Sequence, residues 1–141
     1  MADPYNLQRF VDAQDPVIEA VRSELRAGRK RTHRMWFIFP QLQALGRSAT
    51  ALLYGIRSLD EARAYLHHPL LGPRLAECTE LVCAVHGRSV HEIFGSPDDL
   101  KFHSSMTLFA LARPDEAVFT KAVQQYFGGK WDLRTKEVLV S

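Results

Sequence analysis

The chain is punctuated into short helices. Asp3-Pro4 and Asp15-Pro16 each put an acid before a proline, the order expected of an N-cap followed by the first helical position. The second pair opens a segment with Val17, Ile18, Val21 and Leu25 on one face, closed by Gly28. Ser58-Leu59-Asp60-Glu61 has the capping-box pattern, in which hydroxyl and carboxylate satisfy each other's orphan amides, and it predicts a helix that stops at His68-Pro69. After Gly72-Pro73, the residues Leu75, Cys78, Val82 and Val85 recur at alternating spacings of three and four until Gly87. Ser89 with Glu92 repeats the capping box for a short turn ending at Gly95. Ser96-Pro97-Asp98-Asp99 caps a longer segment in which Phe102, Met106, Phe109 and Ala110 share a face, ended by Arg113-Pro114. Val118, Phe119, Ala122, Val123, Tyr126 and Phe127 form another stripe, stopped by Gly128-Gly129, and a last short helix starts at Asp132.

Strand signals are scarce: only Met35-Trp36-Phe37-Ile38-Phe39 is rich in aromatic residues, and it runs into Pro40 with no hairpin partner nearby. The expectation is an all-α fold, a single irregular globular domain over residues 1–141 with about six to eight short helices. Leu25, Cys78, Val82, Met106, Phe109 and Val123 are the expected core. A chain of 141 residues with 46% hydrophobic content can bury that core without a metal or disulfide as a staple. Cys78 and Cys83 diverge on a helix and do not have zinc-ligand spacing, so they read as small core residues in a reducing compartment. The polar, acidic start lacks the pattern of a secretory signal, and no apolar run reaches membrane-spanning length; a cytoplasmic location and no membrane partner are expected. A formal charge of +2 does not mark a nucleic-acid binder. Oligomeric state is not legible at this level.

Two segments combine groups that could carry chemistry. The first runs from Arg29 to Gln41, where cations lead straight into aromatic residues: His33 supplies a titratable ring, Trp36 a stacking face and Gln41 an amide. The plainer alternative makes Arg29, Lys30 and Arg31 the solvated end of the preceding helix and Phe37 and Phe39 core. The second is the segment from Asp98 to Thr107, in which Lys101, Ser104 and Ser105 fall on the side of a helix opposite Phe102, Met106 and Phe109. An ammonium beside two hydroxyls can hold an anion, and a desolvated lysine can activate a serine. The order from Lys101 to Ser104 reverses that of serine-lysine hydrolases, and helical serines ordinarily return their hydroxyl to the carbonyl one turn earlier. The histidines have no metal-ligand spacing, and neither Gly46-Arg47-Ser48 nor Gly128-Gly129-Lys130 has the strand-loop-helix context of a phosphate loop. No metal or cofactor is expected.

Three strings carry a resemblance: His33-Arg34-Met35-Trp36-Phe37-Ile38-Phe39-Pro40-Gln41; Ser58 to Leu66 with His68-Pro69-Leu70-Leu71-Gly72; and Ile93-Phe94-Gly95 through Lys101 to Ser104-Ser105-Met106-Thr107-Leu108-Phe109. Over nearly its full length the chain resembles an uncharacterised family of small all-helical proteins, a domain of unknown function often labelled calpastatin. The resemblance implies one helical domain and brings no activity, substrate or cofactor. The calpastatin label is at odds with the sequence, because calpain-inhibitory segments fold only on their target whereas these helices are capped and amphipathic. The family pattern has a tryptophan where this chain has Arg34, which removes a stacking surface and adds a cation.

The resulting expectation is a pocket for a small anionic, ring-containing, nucleotide-like molecule, which the protein binds or hydrolyses. His33, Lys101 and Ser104 are the candidate catalytic groups, and Trp36, Gln41 and Ser105 the candidate ligand contacts. The alternative is a helical module without catalysis that docks an acidic protein or nucleic acid through the basic stretch from Arg22 to Arg34. A pocket requires His33 and Lys101 to meet; a module does not.

Overall fold

The computed structural model describes residues 3–31, 36–46 and 48–140. Among them are nine α-helices: α1 (Gln8–Gln14), α2 (Ile18–Arg26), α3 (Ala49–Tyr54), α4 (Leu59–His67), α5 (Leu71–Cys83), α6 (Val90–Phe94), α7 (Asp98–Ala112), α8 (Ala117–Phe127) and α9 (Leu133–Val140). The helix beyond the expected range of six to eight is α3, six residues that follow a 3-10 turn at Gln43–Leu45 and have no fully buried residue. So short a helix with no buried stripe leaves no periodic signal to read.

The caps are partly those expected. Ser89 and Glu92 form the complete capping box. At α4 only half of the box closes: Ser58 Oγ accepts from the Glu61 amide, but the Glu61 carboxylate turns to the Arg57 amide and to Arg9. Neither Asp-Pro pair is an N-cap. Asp3 reaches forward to accept from the Leu7 and Gln8 amides, and α1 starts after it at Gln8. Asp15 closes the C-terminus of α1, and its carboxylate pairs with Arg74. Helix α5 begins two residues before Pro73, which its first turn tolerates because the amides there have no partner in the helix. His68 Nδ1 accepts from the Leu70 and Leu71 amides at this end. Gly72 lets α5 start against α4, since a Cβ there would lie 2.0 Å from the Leu66 carbonyl oxygen.

Helix α7 is the central rod, packed against α4, α6, α8 and α9. It is buried on almost every side, including Ser104, Ser105, Thr107 and Leu108, so the apolar packing expected on one side of it extends nearly all round. All six expected core residues are buried. Around them Phe39, Phe94 and Phe102 pack ring to ring, with Phe94 stacked on Phe102 at 4.8 Å between centroids. Cys78 and Cys83 are buried free thiols, and burial pushes the Cys78 thiol up to about 12.

The aromatic run is neither helix nor strand, so its buried carbonyls need side-chain donors. Gln14 Nε2 donates to the Phe37 carbonyl at 2.6 Å, and the Tyr65 hydroxyl, which accepts from Gln14, donates to the Ile38 carbonyl at 3.2 Å. Lys30 is not the solvated helix end that its neighbours suggest. Its backbone amide donates to the Ile93 carbonyl, and its ammonium pairs with the buried Asp98 carboxylate at 2.5 Å.

Candidate functional site

Residues 43–55 leave the body of the fold and return to it, and the two ends of this excursion are tied together. The Ile56 amide donates to the Gln41 carbonyl and the Gln43 amide to the Ile56 carbonyl, both at 2.8 Å, which makes one parallel bridge between Leu42 and Ile56. Ser48 caps α3 inside the excursion by accepting from the Ala51 amide. Gly46 and Gly55 allow the chain to close on itself: a Cβ at Gly46 would lie 2.2 Å from Ala51 Cβ, and one at Gly55 would lie 2.5 Å from the Ala51 carbonyl oxygen. Arg9 clamps the far side from α1. It donates to the Leu53 and Gly55 carbonyls, to Tyr5 and Asn6 on its own segment, and to Glu61 Oε2 at 2.8 Å.

Between this excursion and helices α7 and α9 lies a cavity of about 470 Å³. Trp36 and Tyr54 contribute its aromatic walls, Leu45 and Ala51 apolar ones, and Lys101 and Arg134 its cations. Lys101 Nζ lies 5.7 Å from the centre of the Trp36 ring, within cation–π range, and 3.7 Å from Asp98 Oδ1. Asp98 is thus shared between two ammonium groups, Lys30 and Lys101. The Arg134 guanidinium has no hydrogen-bond or ion-pair partner among the described residues. Of the charged residues that line the cavity, Lys101 and Arg134 are cationic and Asp132 is anionic.

Of the expected site residues, Trp36, Gln41, Lys101 and Ser104 all line this cavity. Ser105 does not: it is fully buried elsewhere on α7, and its hydroxyl has no partner among the described residues. A serine next to one on the cavity side points about 100° around the helix, so the two hydroxyls do not converge. His33, which was expected to meet Lys101, lies outside the described residues.

Ser104 does not bond back along its helix. Its Oγ lies 2.7 Å from Thr135 Oγ1 on α9, whereas Thr79 makes the ordinary return to the Leu75 carbonyl at 2.8 Å. Thr135 in turn donates to Asp132 Oδ2 at 2.5 Å, and the Asp132 amide donates to Thr107 Oγ1. Lys101 has Asp98 and the Trp36 ring as its partners, so the expected lysine-serine pair is not built. Tyr54, Asp132, Arg134 and Thr135 are the site residues that the sequence reading missed. Asp132-Leu133-Arg134-Thr135 did carry a signal, as an N-cap with its acceptor three residues before the amide it binds, and Thr135 N donates to Asp132 Oδ2 at 3.2 Å. Nothing local marks Tyr54.

In the basic stretch from Arg22 to Arg34, Arg22 pairs with Glu19 and with Glu77 at 2.7 Å, and Lys30 pairs with Asp98. These cations are answered from within the chain. No group of three or more candidate metal-ligating side chains occurs among the described residues, and no helix among them is long and apolar enough to cross a membrane.

A family model described as a protein of unknown function (DUF1810) matches residues 4–139. The chain belongs to this family. Among solved structures, the DUF1810 chain is similar to the conserved hypothetical protein Rv1873 from Mycobacterium tuberculosis, at 59% identity, with 99% of each chain covered and a TM-score of 0.97. The single all-helical domain is common to both. A search of curated proteins found no match.

Proposed function

We propose that this protein binds a small anionic molecule with a planar ring in the cavity between the 43–55 excursion and helices α7 and α9. The observation that carries the reading is the juxtaposition of Lys101 and the Trp36 ring at the cavity wall, with Arg134 as a second cation that no carboxylate among the described residues answers. A ring is held by its face against Trp36 or Tyr54, and the anionic group is drawn to the cations. Binding is favoured over hydrolysis, because the proton of Ser104 is directed to Thr135 rather than to a lysine.

The test is a thermal-shift and calorimetric titration at low salt with AMP and pyridoxal phosphate, two ring-bearing anions of different scaffold. At least one raises the unfolding midpoint, and the effect is lost in Lys101→Ala and Trp36→Ala but kept in Lys121→Ala, an exposed lysine on α8 away from the cavity. Binding by neither compound, or binding that survives both cavity substitutions, refutes the reading.

A further inference from the structure

The hydroxyl chain from Ser104 through Thr135 to Asp132 has a fixed direction. A carboxylate only accepts, so the Thr135 proton is committed to Asp132 Oδ2. Thr135 has no second hydroxyl proton, so the bond between Ser104 and Thr135 is donated by Ser104. Ser104, itself buried and on the cavity wall, is left able only to accept. Asp132 also lines the cavity, and its Oδ1 has no partner among the described residues. Among the cations of this cavity, two residues separated by a single hydroxyl therefore offer acceptors, Ser104 Oγ and Asp132 Oδ1. A ligand group that meets both must donate.

From this corner we infer that the ligand is a ribonucleotide, with its ribose hydroxyls donating to Asp132 Oδ1 and Ser104 Oγ, its base against the aromatic wall and its phosphate at Lys101 and Arg134. The inference rests on the ring-anion reading above and narrows it: a planar acid without a diol leaves the acceptors unanswered, at a cost in affinity. A vicinal diol supplies two donors on adjacent atoms, one for each of these acceptors. Asp132 is a binding residue here, in addition to its part in capping α9.

The experiment compares AMP with 2′,3′-dideoxyAMP by calorimetry on the intact protein and on Asp132→Asn, with pyridoxal phosphate as a ring-bearing anion that has no ribose. Asparagine keeps an acceptor for the Thr135 amide, so α9 stays capped. The expected result is AMP binding that weakens about tenfold or more in the dideoxy compound. In Asp132→Asn the AMP affinity falls and the dideoxyAMP affinity does not, a selectivity that a general loss of folding would not produce. Equal binding of the two nucleotides, equal losses for both in Asp132→Asn, or binding of pyridoxal phosphate alone overturns the ribose assignment and leaves the ring-anion reading standing. No binding of any of the three overturns both.

Discussion

Removing the guanidinium of Arg9 should unlock the excursion that forms one wall of the cavity. The Glu61 side chain is only 1% exposed, and its carboxylate is held by Arg9 and by the Arg57 amide. Of the acceptors Arg9 would abandon, the Leu53 and Asn6 carbonyls lie at exposed positions and can be rehydrated, whereas Glu61 cannot. The dominant cost of Arg9→Met is therefore a stranded buried charge, for which about 3–5 kcal/mol is typical. The Arg9 side chain keeps 13% exposure, so water can approach the vacated position, and the lower end of that range is expected. In a chain of this size about 3 kcal/mol corresponds to a midpoint lower by roughly 10 °C. Urea denaturation followed by circular dichroism reads the loss directly, and adding Glu61→Gln to Arg9→Met should restore more than half of it by removing the charge while keeping an acceptor for Arg57. A loss below about 1 kcal/mol in the single variant, or a double variant as unstable as the two losses summed, would refute the argument.

Three further outcomes follow from the packing. Phe109→Ala should cost about 3–5 kcal/mol in the same assay, because the ring is fully buried between Tyr65 and Phe119 and α7 cannot collapse around its absence. Gly55→Ala should cost about 1–3 kcal/mol and lower affinity in the cavity; its φ of −75° tolerates a side chain, so the cost is the collision with Ala51 and Gln43 rather than backbone strain. Alkaline stability should be limited by buried acids: the Cys78 thiol, raised by burial to about 12 from its usual 9.0, contributes stability that is intact below pH 9 and lost as pH rises toward 12. The loss runs at about 1.4 kcal/mol per pH unit for that proton, and the Tyr65 phenol, raised by the same cause, adds to it at higher pH. Urea unfolding at pH 8 and pH 10.5 should show the decline, and Cys78→Ala should flatten it; an unchanged slope in that variant removes the thiol from the account.

Helix boundaries were legible because their causes are local. A proline or glycine acts within one turn, and the ends near Gly28, Pro69, Gly95, Pro114 and Gly128 fall where these residues stand, whereas α5 ends at Cys83, short of the stop expected at Gly87. The failures have different causes. The Asp3 carboxylate binds the local amides of Leu7 and Gln8, but α1 starts only at Gln8, whereas Arg74, distant in sequence, takes the Asp15 carboxylate. Lys30 in the same way belongs to Asp98 and not to solvent. The polar side of α7 divides, with Lys101 and Ser104 on the cavity and Ser105 away from it. A serine at the helix surface and a serine between two helices look alike in sequence, and only the docking of α9 decides which Ser104 is.

That docking also explains why half of the candidate site could be named in advance and half could not. Trp36, Lys101 and Ser104 stand out because polar groups beside aromatic ones are noticeable wherever they occur. Asp132 and Thr135 look complete on their own: the motif reads as a helix cap, and a cap consumes its acceptor. In the folded protein it consumes only one oxygen of Asp132, because the Thr135 amide and hydroxyl both converge on Oδ2. The same hydroxyl must then accept from Ser104, across 31 residues of chain. A local capping device, once laid against α7, thereby orients a distant serine and leaves a carboxylate oxygen for the cavity. The chemistry of this corner lies in the direction of its protons, a property that arises only when α7 and α9 are in contact.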